Sequence, residues 1–583
     1  MYFHIVLIGV TITTLYLIRY ILLPKPLRGI PHHSSSARRF LGDIPAIKAH
    51  IKRTNGSPIT FFNFTVESLK SPIAQVFLKP LGMPVILLSD FREARSLLML
   101  RKDFDRSPAL GDLLSGLVPD HHIHLKTGAK WKAQRQLVQD VMTPSHLNEV
   151  AGPAVLQKTI DLLNLWTIKS KIAVGRPWNA AADLRLMSLD VMLAFAFGPE
   201  LEHSATSPTL DAVAGLQGTF EEYTSASDEP INFPEERINA TLQAMLDLAA
   251  TVMELHGSPV PSLHWAYLNF KPRIKNAKML KDQFIIEQLK QGVERLDRAT
   301  GDQPRVSCAV DQMIIRERIL ADREGREPQL LSRVMMDELF GFVFAGNETT
   351  ATTICWGLKF LSDNRNAQEK LRVALHESLT EARGQKRNPT VHEILHARVP
   401  YLDATIEEVL RRAGTSPFVD RQAIRDTQIL GHHLPRGTVV LCLLSGPSMW
   451  SPGFHVDENK RYGARSKTSD DVEDRGNKSW PTEDISTFKP ERWLIPRVRG
   501  DGNHEGTHNE QFDPRAGPQL AFGLGPRGCY GRRLVYLEMR ILFTLLVWRF
   551  ELMKCPTSLS GYGTVLRATN EPEQCFLRLR AIS

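Results

Sequence analysis

The chain has 583 residues, of which 42% are hydrophobic and 23% charged, and carries a formal net charge of +8. This length and composition exclude a disordered or low-complexity polypeptide and allow a large buried core. The mild positive balance, with no basic stripe interleaved with aromatics and no zinc-type spacing, argues against a nucleic-acid partner and fits an acidic protein surface or an anionic membrane. The six cysteines, at 308, 355, 442, 529, 555 and 575, form no spaced disulfide framework and fit a reducing compartment.

At the N-terminus, residues 2–23 are apolar with only His4 and Arg19 as ionisable interruptions, about the length a helix needs to cross a bilayer core. Arg19 lies near the end, where its side chain can reach the interface. Lys25, Arg28, Arg38 and Arg39 follow, so the positive-inside bias places the bulk of the chain in the cytosol. The rival reading is a cleaved signal peptide. Its apolar core would be shorter and small residues would mark the cleavage site, whereas Pro24, Lys25 and Pro26 follow directly here. The expected organisation is a transmembrane anchor at 1–24, a stiff hinge at 25–45 containing Pro26 and Pro31, and one large domain at 46–583.

Helical periodicity then dominates: 150–173, 239–255, 331–361, 366–382, 401–412 and 532–550 read as helices. Apolar runs at 84–89 and 437–444 read as strands, so the fold class is mainly α with small β-sheets. Two segments, 457–479 and 497–519, lack apolar periodicity and read as solvated loops, the first as an insertion.

Five segments carry chemistry. Trp131 and Arg135 stand one helical turn apart, which also suits an ordinary amphipathic helix. Ala345-Gly346-Asn347-Glu348-Thr349-Thr350 interrupts an apolar helix with a glycine, an acid and two alcohols, all locally costly. That pattern marks either a kink at a packing contact or an oxygen pocket with a proton relay. Glu408 and Arg411 share a helix face at i,i+3, a weak signal alone because most such pairs are exposed. Pro490-Glu491-Arg492-Trp493 follows. Last comes Phe522-Gly523-Leu524-Gly525-Pro526-Arg527-Gly528-Cys529-Tyr530-Gly531, directly before a long apolar helix pattern.

In this last segment Cys529 has the setting of a thiolate ligand to haem iron. Glycines let the backbone take positive φ and approach a flat macrocycle. N–H groups at the start of the next helix favour negative charge on the sulfur. Arg527 can hold a haem propionate by charge-assisted hydrogen bonds, and Phe522 can shield the sulfur side. The formal dinucleotide fingerprint Gly523-x-Gly525-x-x-Gly528 is rejected, because residues 513–519 are not a buried strand and no βαβ unit follows.

Phe522, Gly525, Arg527, Cys529 and Gly531 match the Phe-x-x-Gly-x-Arg-x-Cys-x-Gly loop of the cytochrome P450 family, which the chain resembles over nearly its whole length. The resemblance implies a cytochrome P450 fold preceded by one N-terminal transmembrane helix. It implies haem b (iron protoporphyrin IX) with Cys529 as axial thiolate, and Phe522, Gly525, Arg527 and Gly531 in its loop. Trp131, Arg135 and Arg421 are expected at the propionates. Glu348 and Thr349 become the catalytic acid–alcohol pair that passes protons to dioxygen, with Gly346 leaving room for it. Glu408, Arg411 and Arg492 become a structural charge triad behind the haem.

The implied activity is a monooxygenase that inserts one oxygen atom into a small, apolar organic substrate. Electrons come from NADPH through NADPH–cytochrome P450 reductase, with cytochrome b5 as a further partner. The reductase would meet Lys126, Lys130, Lys132, Arg532 and Arg533. The implied setting is the endoplasmic reticulum membrane, single-pass, with membrane lipid as a partner and the catalytic domain cytosolic. The stretch from Leu27 to Pro45 looks like fungal members, which often serve secondary metabolism. Residues 108–124 and 217–265 occupy the family's substrate-contacting positions. A haem-thiolate isomerase or dehydratase, and a non-catalytic haem-binding protein, are the alternatives. The intact Glu348–Thr349 pair argues against both.

Overall fold

The computed structural model describes residues 22–582 except 217–226, 256, 259, 299–305, 464–477 and 497–509, together with Leu7, Ile8 and Thr14. The anchor expected at 1–24 therefore lies almost wholly outside the described residues, among which no helix is long and apolar enough to cross a membrane. The proline-containing stretch starts non-helical, and a four-residue helix, Ser34–Ala37, then interrupts the expected hinge. Helices α1 (Ile44–Thr54) and α2 (Pro58–Ser68) both carry proline in the first turn, where its missing N–H costs nothing.

Strands β1 (Ile73–Val76) and β2 (Val85–Leu88) form a hairpin, followed by helix α3 (Phe91–Met99) and the short β3 (Phe104–Asp105). Then come α4 (Ala129–Leu137), α5 (Gly152–Ala173), α6 (Ala181–Phe197), α7 (Pro272–Arg298), α8 (Arg333–Asp363), α9 (Arg365–Ser378) and α10 (Pro400–Ala413). Strands β4 (Phe418–Ala423) and β5 (Val439–Leu443), helix α11 (Arg532–Arg549) and strand β6 (Asn570–Pro572) complete the frame, which is mainly helical with small sheets.

The largest sheet has the order β1-β2-β5-β4-β3, with β2 and β5 parallel and the other pairs antiparallel. Both parallel strands are continuous apolar runs, as burial on two faces demands. Helix α8 spans 31 residues from its cap, Ser332, whose hydroxyl accepts the Met335 N–H at 3.4 Å. Its glycines let neighbours press onto it. A Cβ on Gly346 would lie 2.3 Å from the Met192 sulfur of α6, and one on Gly357 would lie 2.5 Å from the Phe543 ring of α11. The gain in packing offsets the helix penalty of glycine, about 1 kcal/mol each.

Several expected boundaries move. The 366–382 helix breaks at Leu379 and resumes as Thr380–Gly384. The 150–173 helix opens with a wider turn at Leu147–Ala151, and Phe550 leaves the last helix to pair as a strand with Ala581. The described ends of the first expected loop, 457–463 and 478–479, are mostly exposed with Arg461 as an anchor, whereas the described end of the second, 510–519, is largely packed. Arg461 binds Asp90, the buried cap of α3, at 2.6 Å with 10% of its side chain exposed. Glu510–Phe512 pairs with Leu494–Pro496, and Gly517 packs under the Trp480 indole.

Candidate active site

The cysteine loop is held against α3 and β4. Gly525 has φ +71°, and a Cβ there would lie 2.2 Å from the Leu98 carbonyl, so only glycine fits. Gly523 also has positive φ, +61°. The Cys529 N–H donates to the Phe522 carbonyl at 2.7 Å, closing the loop. Gly531 differs from its expected reason: its φ is −75° and a Cβ would meet no protein atom within 4 Å. Its contribution is the N–H, which with that of Arg532 donates to the Cys529 sulfur.

The sulfur opens onto a cavity deep in the protein, with lobes of ≈ 230 and ≈ 290 Å³ that share Arg106, Ala345, Thr349, Arg527, Cys529 and Val535. Burial raises the Cys529 thiol above its ordinary pKa, opposed by the two N–H donors and then by Arg106 and Arg135. The pocket by itself therefore does not make the thiolate; a metal ion would. Phe522 lines the second lobe and tilts against Tyr536 at 5.6 Å, with Arg532 over its other side.

Beside Arg411, which lines the second lobe but is gripped by Glu408, four guanidinium groups reach the cavity: Arg106, Arg135, Arg421 and Arg527. None lies within ion-pair distance of a carboxylate among the described residues. Burial lowers all four, and Arg106 adds repulsion that takes Arg527 down to about 10. Arg106 Nε and Arg421 Nη2 are buried and unpaired. Arg527 donates to the Leu125 carbonyl at 2.9 Å and lies 4.8 Å above the Trp131 ring, while Arg135 lies 3.7 Å from the Tyr530 ring centre. A sulfur facing a cavity walled by four arginines that make no direct ion pair among the described residues, with the Asp105 and Asp420 charges nearby, is the donor set that haem requires, with an iron ligand at the floor and anchors for two propionates. The residues fit the group.

Across the cavity, α8 presents Ala345, Gly346, Thr349 and Thr350. The Thr349 hydroxyl donates to the Ala345 carbonyl at 2.7 Å. Glu348 lines neither lobe; it turns toward Arg185 of α6 at 3.7 Å, and Arg185 also binds Glu571 of β6. Glu348 falls on the edge of α8 that faces α6, while its neighbour Thr349 falls on the edge that lines the cavity. Burial raises Glu348 despite Arg185. Gly346 makes room for Met192 as well as lining the lobe.

Behind the cavity the expected charge triad assembles. Arg411 grips Glu408 through two bonds of 2.8 and 2.7 Å, and Arg492 adds a third of 3.1 Å. The Trp493 indole and the Lys489 N–H also donate to Glu408, at 3.0 Å each. All three charged side chains are at most 2% exposed.

Of the expected substrate segments, His121, His122 and Ile123 line the first lobe and Leu110 the second. The described residues of 227–265 line neither; Trp265 instead caps Gly116 and donates to the Leu113 carbonyl at 2.9 Å. Residues 217–226 lie outside the described residues. Sequence reasoning missed Arg106, Arg185, Tyr530 and the pair of His122 with Glu338, whose atoms lie 2.7 Å apart. Arg106 carried no usable signal, standing in the charged run Arg101-Lys102-Asp103-Phe104-Asp105-Arg106.

Comparison with known proteins agrees with this geometry. The sequence matches the family described as Cytochrome P450 over residues 60–449 and 477–560. It is 40% identical to cytochrome P450 monooxygenase TRI13 of Fusarium sporotrichioides over 580 residues, 98% of each chain. It is 34% identical to cytochrome P450 monooxygenase xilC of Penicillium crustosum over 99% of this chain and 96% of that one. In fold it resembles the crystal structure of the cytochrome P450DA heme domain, with a TM-score of 0.63 and 17% identity over 96% of this chain and 98% of that one.

Proposed function

The chain belongs to the cytochrome P450 family and is a haem-thiolate monooxygenase, and from that premise we propose that it oxidises a small, apolar organic substrate of fungal secondary metabolism with electrons from NADPH. The carrying observation is the Cys529 sulfur at the floor of a cavity walled by four arginines that make no ion pair among the described residues and roofed by Thr349. Haem bound there supplies dioxygen activation, one oxygen atom entering the substrate and the other leaving as water. Every other part falls to the chain. Arg106, Arg135, Arg421 and Arg527 anchor the propionates. Ile123, Phe342, Leu110 and Phe418 give the walls an apolar character that suits an apolar substrate. Thr349 serves as the proton-relaying alcohol once its hydroxyl turns from Ala345 to the cavity, and Glu348, held by Arg185, is the acid that resupplies it.

Electron supply follows from charge. Lys126, Lys130, Lys132, Arg532 and Arg533 are all exposed beside the cysteine loop and α4, a surface that suits the acidic face of NADPH–cytochrome P450 reductase or cytochrome b5. The apolar N-terminus supports a single-pass anchor in the endoplasmic reticulum membrane with the catalytic domain in the cytosol. The test is the reduced holoprotein under carbon monoxide. The wild type gives the red-shifted thiolate band and Cys529→Ala loses it; a surviving band overturns the ligand assignment. NADPH-dependent oxygen uptake that rises with substrate then separates a monooxygenase from an electron-free isomerase or a haem carrier.

A further inference from the structure

Away from the haem chamber, the short helix Val391–His396 carries two histidines four residues apart, in the stretch His392-Glu393-Ile394-Leu395-His396. Its apolar side is committed to the core. Ile394 is buried, and Val391 and Leu395 lie 3.0 and 3.4 Å from where a Cβ on Gly152 would stand. Arg540 of α11 ties the helix down by donating to the Ile394 carbonyl at 2.9 Å. His392 and His396 remain exposed. Residues i and i+4 of a helix are neighbours, and here the two imidazole rings stack with centroids 4.1 Å apart and planes 24° apart.

Hydrogen bonding fixes which nitrogen is free. His396 Nδ1 lies 2.8 Å from the His392 carbonyl, which only accepts, so Nδ1 carries the proton and Nε2 keeps its lone pair. That is the setting of a metal-ligating histidine, whose other ring N–H is held by a carbonyl. The same test sets aside the buried group of His121, His122 and Glu338. There the Ile123 N–H donates to His121 Nδ1 at 3.1 Å, so His121 Nε2 carries the proton and faces Glu338 as a donor, not as a ligand. Glu393 is engaged elsewhere. Its carboxylate accepts from Arg387 at 2.7 and 2.9 Å and from the Thr390 N–H at 2.7 Å, and Arg387 holds it down to about 2. The H-E-x-x-H pattern therefore lacks a free base, and among the described residues no third ligand joins it, so it is not the centre of a zinc hydrolase.

We propose that His392 and His396 form a surface chelate for a divalent transition-metal ion of the class that favours imidazole, such as Zn²⁺, with water filling the remaining positions. The ion takes one nitrogen from each ring at about 2.0–2.1 Å, which exposed rings already side by side reach by small rotations. Binding moves no electron; it displaces water and any proton on the two nitrogens. The bridge spans nearly the whole six-residue helix, so the ion pins that helix and, through Arg540, its seat on α11. Neither histidine lines the haem cavity, so the site is independent of haem binding.

The experiment is equilibrium dialysis of the untagged full chain against Zn²⁺, with carbethoxylation by diethyl pyrocarbonate read by peptide mass spectrometry. The chain has 19 histidines, so the difference between wild type and variants assigns the ion. The wild type binds zinc, and zinc blocks modification of both His392 and His396. His392→Ala and His396→Ala each weaken that binding by about tenfold or more, the worth of one lost ligand. Unchanged affinity in either variant, or modification of either ring indifferent to zinc, overturns the proposal. Glu393→Gln keeps an acceptor for the Thr390 N–H and leaves zinc affinity unchanged; a loss as large as that of the histidine variants makes Glu393 a ligand and overturns the two-histidine site. Should an alanine variant unfold, the wild type decides by its thermal midpoint. Zinc raises it by mass action, and acid that protonates the rings abolishes the rise; the absence of a rise overturns the proposal.

Discussion

Two sets of buried arginine lie beside the same cavity and behave oppositely. Around Glu408, the cations Arg411 and Arg492 have a carboxylate, and Arg411 also donates to the carbonyls of Ile485 and Thr487 at 2.9 and 3.1 Å. In the cavity, Arg106, Arg135, Arg421 and Arg527 have no carboxylate partner, and two of them leave a buried N–H unpaired. The first cluster is complete within the chain, so it holds the fold. The second is complete only with an anion from outside, so it marks a ligand site.

That contrast can be broken from its stronger side first. Glu408→Ala leaves two buried guanidinium groups uncompensated and costs about 3–5 kcal/mol, seen as a large drop in denaturation midpoint with or without haem. A drop no larger than that of an exposed ion pair would end the distinction. Arg421→Ala works in the opposite direction. The apoprotein keeps its stability or gains slightly, since an unpaired buried cation is removed, while haem retention falls by about ten- to a hundredfold, the worth of one or two charged hydrogen bonds. Haem transfer to an acceptor globin measures the loss, and equal losses of apoprotein stability and haem retention would contradict it.

Thr349 sharpens the comparison because it belongs to both kinds. Its hydroxyl is satisfied inside the helix, yet its side chain lines the cavity. Thr349→Ala therefore costs about 1 kcal/mol of stability or less. Its effect is on coupling: NADPH oxidation continues while product falls and hydrogen peroxide rises. Wild-type coupling in this variant would assign the proton to a bound water or to the substrate instead.

Much of the site was legible because spacing along one element converts directly into proximity. The tight loop carries Phe522, Arg527 and Cys529 to one cavity edge, one helical turn joins Trp131 to Arg135, and i,i+3 geometry joins Glu408 to Arg411. The same logic placed α8 and both parallel strands within two or three residues of their bounds. Adjacency did not tell that the Glu348 carboxylate turns toward Arg185 while the Thr349 hydroxyl donates to the Ala345 carbonyl. Gly346 showed a need for space but not that Met192 fills part of it.

Residues without a local partner were invisible for the same reason. Arg106 reaches the cysteine loop because β3 pairs with β4, more than three hundred residues away in sequence. Arg185 joins Glu348 to Glu571 only after α6, α8 and β6 have packed. Glu538 is one more acid in a helix pattern until packing buries its carboxyl at the cavity wall without a hydrogen-bond partner among the described residues. Backbone geometry thus wrote the thiolate loop, the long helix and the charge triad into short stretches of sequence. Which cations go unpaired, where Glu348 turns, and which acid faces the cavity depend on contacts between remote elements, because burial and desolvation exist only once those elements meet.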